Sequence, residues 1–178
     1  MWRNFMAETL ILYGSPNINS FTMELLKSVN NMDNDSYFFD CFKSSPKPCE
    51  GCGFCKTKDG CKFGDLEEFF KEFEKAKNII MAFPVYNGSF PAPLKAVIDR
   101  FQFFYNRRFF KNIKPPIKGK RNVTLVITAG SNENPLPLIT AQLKPIFTVC
   151  GCKLKNAVML LGTDKSGFNL ENIQRVDF

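Results

Sequence analysis

Short apolar runs alternate along the chain with segments of helical periodicity. The runs are rich in β-branched and aromatic residues and are bounded by turn residues, which predicts buried strands over 9–13, 36–42, 78–83, 121–128 and 153–161. Between them, apolar residues recur at the spacing of an amphipathic helix, most clearly over 65–76, 94–105 and 138–150. The face predicted for 65–76 comprises Leu66, Phe69, Phe70, Phe73 and Ala76.

Strand and helix alternate five times, which predicts an α/β fold with a parallel sheet between two helical layers. Right-handed crossovers favour a doubly wound topology, and five strands fit the flavodoxin-like order 2-1-3-4-5 in a three-layer α/β/α arrangement. A length of 178 residues with 44% hydrophobic residues suits one domain spanning 1–178. We expect no more than one small helix in the short polar tail after Leu161.

The loops that leave parallel strands share one edge of the sheet, where ligands bind. Here they are 14–21, 43–64, 84–92 and 129–135. The first, GSPNINSFT, opens a helix with small polar residues, and amides at a helix N-terminus attract phosphate. It lacks both the GK[ST] pair of an NTP-binding loop and the GxGxxG pattern of a dinucleotide site. One phosphomonoester, such as that of FMN, fits this loop, and an ordinary N-capped helix start is the alternative.

The loop after the third strand, PVYNGSF, carries an aromatic residue where a flat ring would need a wall. Pro84 and Gly88 shape its backbone, and Tyr86 offers the aromatic face. The alternative is a simple loop with a core tyrosine. A further loop, 128–131, completes the predicted rim.

Four cysteines follow the second strand with the spacing C-x2-C-x2-C-x5-C: Cys49, Cys52, Cys55 and Cys61. Consecutive x2 intervals are typical of ferredoxin-type loops that hold a [4Fe–4S] cluster. Zinc sites usually separate two cysteine pairs by a dozen or more residues. A cluster, a zinc ion and unliganded thiols all remain open on spacing alone. We predict that Cys41, Cys150 and Cys152, in apolar contexts, are core thiols.

Composition removes several function classes. The chain has no histidine, which excludes imidazole acid–base catalysis and assigns any enzymatic chemistry to a cofactor. No apolar run approaches the roughly 20 residues of a membrane span, and the N-terminus lacks a signal-peptide core, so we expect a cytoplasmic protein with no membrane partner. The net charge is +7, and we interpret the basic segment 107–121 as a solvated connector, with nucleic-acid binding as the weaker alternative.

Taken together, the motifs GSPNINSFT, PCEGCGFCKTKDGC and PVYNGSFPAPLK, followed by Asp99-Arg100, resemble the flavodoxin-like NAD(P)H-dependent FMN reductases. The cysteine spacing is most similar to that of the iron–sulfur flavoproteins within this group. The resemblance implies that FMN contacts Ser15, Asn17, Asn19, Ser20, Phe21, Thr22, Pro84, Val85, Tyr86, Asn87, Ser89, Thr128, Ala129 and Gly130. Phe21 stands where the family often has Asn, so only its backbone amide can take part.

The resemblance also implies an activity. Electrons would pass from NAD(P)H through FMN to a quinone, a free flavin or another small-molecule acceptor, without a protein acid or base. The alternative is an electron carrier with a [4Fe–4S] cluster on Cys49, Cys52, Cys55 and Cys61, supplied by a ferredoxin-like donor. A homodimer or homotetramer is implied in either case.

Overall fold

The computed structural model describes residues 8–30 and 36–178. The strands are β1 (Thr9–Tyr13), β2 (Ser36–Asp40), β3 (Asn78–Pro84), β4 (Arg121–Thr128), β5 (Cys152–Leu160) and β6 (Ile173–Asp177). They form one sheet in the order β2-β1-β3-β4-β5-β6, in which the first five are parallel and β6 is antiparallel to β5. The predicted doubly wound order is confirmed, whereas the predicted count of five strands is wrong by one.

The sixth strand comes from the tail after Leu161, for which at most one small helix was expected. A short helix and a 3-10 turn lead the chain back, and Ile173 then pairs with Leu160. Phe168 and Ile173 also pack against the core. Pairing with β6 satisfies the backbone groups along the outer side of β5, which would otherwise be an open sheet edge. The tail therefore extends the sheet instead of only capping it.

Eight α-helices lie within the described residues: α1 (Phe21–Val29), α2 (Cys41–Ser44), α3 (Phe54–Thr57), α4 (Glu67–Lys75), α5 (Ala92–Arg100), α6 (Gln102–Phe109), α7 (Leu136–Cys150) and α8 (Thr163–Ser166). The helix predicted over 94–105 is divided at Phe101 into α5 and α6. The strand predicted to reach residue 42 ends at Asp40, because that carboxylate accepts from the amides of Phe42 and Lys43 and caps α2. Helix α7 continues through Pro145 and stops at Gly151, whose φ is 65°.

The core has two parts, one on each face of the sheet. Helices α4, α5, α6 and α7 supply the larger cluster, and α1 supplies the smaller one with Leu25 and Leu26. The apolar face predicted for α4 is buried as expected. Each such phenylalanine contributes on the order of 2 kcal/mol through burial. The helical layers therefore hold the sheet rigid beneath the loops at its carboxyl edge.

None of the helices in the described part of the chain combines the length and apolar character that a bilayer-spanning helix requires. Residues 1–7, on which the signal-peptide expectation rests, lie outside the described range.

Candidate functional site

The loop after β1 begins with a close approach between two elements. The amide of Gly14 donates to the carbonyl of Ala82 at 2.8 Å, which keeps the loop tied to β3. A Cβ atom on Gly14 would lie 2.7 Å from Cδ2 of Leu94 on α5. The glycine is therefore needed because α5 packs directly against this turn, and its backbone does not adopt a positive φ.

Ser20 ends this loop and caps α1. Its Oγ accepts from the amide of Met23 at 3.3 Å, and its carbonyl accepts from the amides of Met23 and Glu24. Ser15 is buried, and its Oγ lies 3.3 Å from Oγ of Ser20. Asn17 accepts from the Asn19 amide through Oδ1 at 2.8 Å. The polar side chains of the loop thus largely hydrogen-bond one another.

The backbone amides of the same loop are left over as donors. Among the described residues, no protein acceptor pairs with the amides of Ser15, Asn17, Ile18, Ser20, Phe21 and Thr22. Three of these amides lie in the loop and three at the N-terminus of the nine-residue helix α1, an arrangement that suits a phosphate, because each N–H is a donor and the helix dipole favours negative charge. This part of the rim fits the phosphate of FMN.

Two threonines join the first loop to the end of β4. The hydroxyls of Thr22 and Thr128 lie 2.7 Å apart, and both side chains are buried. In this arrangement the two hydroxyls hydrogen-bond each other in the interior of the protein. Their contact fixes the spacing between two of the predicted cofactor loops.

The loop after β3 is a tight reversal that presents an aromatic ring. The backbones of Tyr86 and Ser89 exchange hydrogen bonds of 3.0 and 2.9 Å, while Asn87 and Gly88 adopt φ values of 50° and 72°. Two positive φ angles in succession define a type I′ turn, for which Asn-Gly is the preferred pair. Tyr86 is 47% exposed, so part of this residue is accessible to a ligand at the rim.

The neighbouring residues hold this turn in place. The amide of Val85, directly after Pro84, donates to the carbonyl of Thr128 at 2.8 Å. The hydroxyl of Ser89 donates to Gln142 on α7 at 3.0 Å. Gln142 was not among the predicted site residues, because a contact across 53 residues leaves no local signal in the sequence.

The loop after β4 packs against the loop after β5. The amide of Ala129 donates to Leu160, and the carbonyl of Ala129 accepts from Thr163 at 3.1 Å. A Cβ on Gly130 would lie 2.3 Å from a carboxylate oxygen of Asp164. Asp164 is therefore at the predicted rim, although sequence reasoning placed no site residue after β5. Gly130 leaves room for that carboxylate.

The four cysteines of the second loop line one cleft of about 420 Å³. Cys49 and Cys52 are exposed, whereas Cys55 and Cys61 are half-buried. In this conformation no three His, Cys, Asp or Glu side chains of the described residues converge closely enough to hold a metal ion. The donor set, four thiols on one cleft, suits an iron–sulfur cluster chemically, but the thiols are not drawn together as cluster ligands.

A largely buried ion pair anchors the cysteine loop at its base. Arg100 is 3% exposed and donates to Asp65 at 2.6 Å and to the carbonyl of Lys47 at 2.9 Å. Burial alone would raise the pKa of the Asp65 carboxyl, but hydrogen bonds from Arg100 and from the Lys47 amide hold that pKa below its usual range. Both ends of the loop are thus fixed to α5.

Helix α6 contacts the cysteine loop directly. The buried side chain of Asn106 donates from Nδ2 to Sγ of Cys55 at 3.0 Å. Its Oδ1 accepts from Nε2 of Gln102 at 3.2 Å, which orients the amide toward the sulfur. Lys111 binds Asp59 at 2.6 Å on the far side of the loop. Asn106 is a polar contact of a cysteine that the sequence did not reveal.

The remaining cysteines are core residues. Cys41 and Cys150 are fully buried, as predicted, and burial raises the pKa of both thiols. Cys152 is half-buried, and burial raises its pKa to about 11. These three thiols therefore stay protonated and unreactive at neutral pH.

The basic segment 107–121 is only partly the solvated connector that was predicted. Arg107 pairs with Glu74 at 2.8 Å near the surface. Arg121 contradicts the prediction, because it is 1% exposed and donates to the carbonyls of Phe73 and Glu74 at 2.9 and 2.7 Å. It also donates to the carbonyls of Cys150 at 3.2 Å and Lys118 at 3.0 Å. A guanidinium has five donors in a plane, so it can join several chain segments at the base of β4.

Solved structures resemble this fold over most of their length. The FMN-dependent NADH-azoreductase of Bacillus anthracis, in complex with FMN, superposes with a TM-score of 0.62 at 14% identity, covering 93% of this chain and 91% of that one. The NAD(P)H:quinone oxidoreductase of Methanothermobacter marburgensis gives 0.59 at 15% identity, covering 89% and 85%. At these identities the similarity concerns the fold alone, and it confirms the predicted α/β class.

Proteins with similar sequences identify the family of this chain. The chain is 40% identical over 88 residues to an iron–sulfur flavoprotein of Methanosarcina thermophila, covering 49% of this chain and 42% of that protein. It is 36% identical over 78 residues to one of Archaeoglobus fulgidus, covering 43% and 40%. The matches thus span less than half the length of these relatives. A family model described as NADPH-dependent FMN reductase matches residues 7–165, nearly the whole chain. The chain therefore belongs to the NADPH-dependent FMN reductase family.

Proposed function

We propose that this chain binds FMN at the rim formed by the loops after β1, β3 and β4. Bound there, FMN would accept a hydride from NAD(P)H, together with one proton from solvent, and pass two electrons to a quinone, a free flavin or another small acceptor. The observation that best supports this proposal is the set of unpaired amides in the loop before α1 and at the start of that helix, those of Ser15, Asn17, Ile18, Ser20, Phe21 and Thr22. Membership of the family supplies the identity of the phosphate-bearing ligand.

Different residues of the rim would bind different parts of FMN. The amides at the start of α1 take the phosphate, and the ring of Tyr86 covers one face of the flavin. The Asn87-Gly88 turn keeps that ring at the edge of the sheet, since its backbone hydrogen bonds fix the reversal. Asn19, Pro84, Val85, Ser89, Ala129 and Gly130 complete the proposed border. With no histidine in the chain, these residues bind and orient the reactants and leave proton exchange to solvent.

The phosphate site can be tested at Ile18, whose amide is unpaired and whose side chain is 60% exposed. Ile18→Asp introduces a negative charge beside the bound phosphate without disturbing the core, so FMN affinity should fall by roughly tenfold or more at low salt. Ile18→Asn is the matched control, because asparagine has nearly the shape of aspartate without its charge. The FMN affinity of this variant should stay close to that of the wild type. Quenching of flavin fluorescence measures both. Equal affinity for the two variants would count against a phosphate at this loop.

A second function is supported by the cysteine cleft. We propose, as the alternative role, an electron carrier in which Cys49, Cys52, Cys55 and Cys61 hold a [4Fe–4S] cluster and a ferredoxin-like protein supplies electrons. Four thiols line one cleft, Asn106 donates to one of their sulfurs, and two relatives are named iron–sulfur flavoproteins. The loop would have to close around the cluster, since its thiols do not converge in this conformation.

Iron content after anaerobic reconstitution separates the two functions. If the loop holds a cluster, Cys52→Ala should lose iron and sulfide while FMN binding persists. Cys41→Ala is the matched control, because that thiol is buried in the core away from the cleft, so iron binding should be retained. A wild-type protein that binds FMN but no iron under the same conditions would leave only the reductase proposal.

We infer the oligomeric state and the cellular compartment from the exposed aromatic residues and from the cysteines. We propose that residues 1–178 form a single domain that assembles as a homodimer or homotetramer. Aromatic side chains exposed along α6, including Tyr105 and Phe109, support an assembled state. Seven cysteines suit the reducing cytoplasm. Light scattering coupled to size-exclusion chromatography measures the mass, and a monomer at all concentrations would contradict the assembly.

A further inference from the structure

Tyr13 joins the sheet to the proposed phosphate loop. It is the last residue of β1, and its ring is fully buried against Phe38, with ring centroids 5.5 Å apart. Its hydroxyl, also buried, lies 2.7 Å from the carbonyl oxygen of Asn17 and 2.9 Å from Oγ of Ser20. One side chain thus contacts both the middle and the end of the loop whose amides are unpaired.

The number of hydrogens fixes the direction of these bonds. A phenol has a single hydrogen, and a carbonyl can only accept, so Tyr13 donates to Asn17. The hydrogen between Tyr13 and Ser20 must then come from Ser20. Ser20 in turn accepts from the amide of Met23 at 3.3 Å, and the one hydrogen of the Ser15 hydroxyl has two acceptors in reach, Oγ of Ser20 at 3.3 Å and the carbonyl of Asn17 at 3.4 Å. The hydroxyl of Ser20 is therefore used inside the protein and does not donate to a ligand in this arrangement.

We propose that Tyr13 is a positioning residue for the phosphate of the bound flavin. It does not contact the phosphate. It holds the Asn17 carbonyl and the Ser20 hydroxyl toward the core, so that the loop keeps the shape in which its amides have no internal acceptor. This inference rests on the proposed function of that loop. Holding the loop before the ligand arrives reduces the ordering cost of binding.

The Tyr13 hydroxyl should affect the binding of the phosphate of FMN and not that of the flavin ring. The hydroxyl of Tyr13 orders the amides that receive the phosphate, whereas the wall for the flavin ring is Tyr86, on another loop. Removal of the Tyr13 hydroxyl should therefore weaken the binding of FMN, which carries the phosphate, and leave the binding of riboflavin, which does not, nearly unchanged. A general loss of stability would weaken both flavins alike.

The test compares Tyr13→Phe with Tyr37→Phe. Tyr37 lies on the neighbouring strand β2, opposite Leu10, and packs against the larger core cluster, so its replacement removes a phenol hydroxyl that does not hydrogen-bond to the loop. For Tyr13→Phe we expect the ratio of riboflavin Kd to FMN Kd to fall about tenfold, as two hydrogen bonds to the loop are lost. For Tyr37→Phe the ratio should match that of the wild type. Fluorescence titration with both flavins gives the ratios, and thermal unfolding shows that each variant is folded.

The outcomes separate the inference from the function on which it rests. A wild-type protein that binds FMN no better than riboflavin would contradict the phosphate site itself. A wild-type preference for FMN that Tyr13→Phe retains would overturn the positioning role and leave the site intact. Equal weakening of both flavins would also overturn it, since that result indicates a structural role only. If Tyr13→Phe is too unstable to titrate, Ser20→Ala, which removes the second partner of the phenol, should lower the same ratio, and an unchanged ratio would overturn the inference.

Discussion

At the residue scale, Gly14 illustrates how packing, and not backbone conformation, fixes a residue at the rim. Gly14→Ala should lower the free energy of unfolding by about 1–3 kcal/mol, because the added Cβ would lie 2.7 Å from Cδ2 and 2.9 Å from Cβ of Leu94. Denaturant unfolding measures the loss. In the double variant Gly14→Ala/Leu94→Ala the total loss should be smaller than the sum of the two single losses, since the contacts with Cγ and Cδ2 of Leu94 disappear while only the one with its Cβ remains. Strict additivity would mean that the two residues do not compete for space.

The ion pair beneath the cysteine loop predicts a pH dependence. Asp65→Asn should cost about 2 kcal/mol at neutral pH by leaving Arg100 without its anion, less than for a fully buried pair because 25% of the Asp65 side chain is exposed. The pKa of Asp65 is lower in the folded protein than in the unfolded chain. Its contribution is therefore fully present above the unfolded pKa of about 3.9 and is lost as the pH falls through the lower folded value.

Unfolding in denaturant across this pH range measures the difference between wild type and Asp65→Asn, which should be constant near neutrality and shrink below about pH 4. Asp59→Asn is the matched control. Its partner Lys111 also binds the loop, but Asp59 is exposed, so its replacement should change stability little. A difference that grew on acidification would contradict the assigned direction of the Asp65 pKa shift.

At the scale of elements, α6 is the helix that connects the cysteine loop to the core. If the loop carries a cluster, Asn106→Leu should lower its reduction potential, because the hydrogen bond from Asn106 to Cys55 favours the more negative reduced state. Gln102→Leu, which removes the residue behind Asn106 and no bond to sulfur, should have a smaller effect. Redox titration of reconstituted protein measures both potentials. Equal potentials for wild type and Asn106→Leu would show that this contact does not tune the cluster.

The elements that the sequence predicted best are those with a strong local pattern. The bounds of β1 and β4 agree with the apolar runs, and the buried face of α4 agrees with its phenylalanine spacing. The strand β6 was missed because its five residues, IQRVD, show no apolar run and become a strand only through pairing with β5. The break at Phe101 was missed because the apolar face continues across it.

The site shows the same division between local and long-range information. The loops at the rim follow from strand order, so their location was predictable. The role of Tyr13 was not, since an aromatic residue in the apolar run TLILY has the pattern of an ordinary core residue. Gln142 and Asp164 reach the rim from distant parts of the chain. Arg100 and Asp65, which pair beneath the cysteine loop, are likewise 35 residues apart in the sequence. Such long-range contacts leave no local pattern in the sequence, so only the folded structure shows them.

At the scale of the whole molecule, the fold gathers both candidate redox sites at the carboxyl edge of one sheet. The proposed flavin rim leaves β1, β3 and β4, and the cysteine loop follows β2, which pairs with β1. The family match extends over both regions. The basic segment 107–121 does not present all of its charges to solvent, because Arg121 is buried at the base of β4 and Arg107 and Lys111 are paired with acids. The molecule is thus organised around its sheet edge.

The most direct test of the proposed function is an anaerobic titration of FMN-reconstituted protein with NADPH, and in parallel with NADH, followed by flavin absorbance. We expect one protein equivalent to hold about one FMN, and at least one of the two nicotinamides to bleach the visible band of the bound flavin within seconds, faster than it bleaches free FMN. A quinone added afterwards should restore the band. A protein that takes up no FMN, or one whose bound FMN neither nicotinamide reduces, would contradict the reductase proposal.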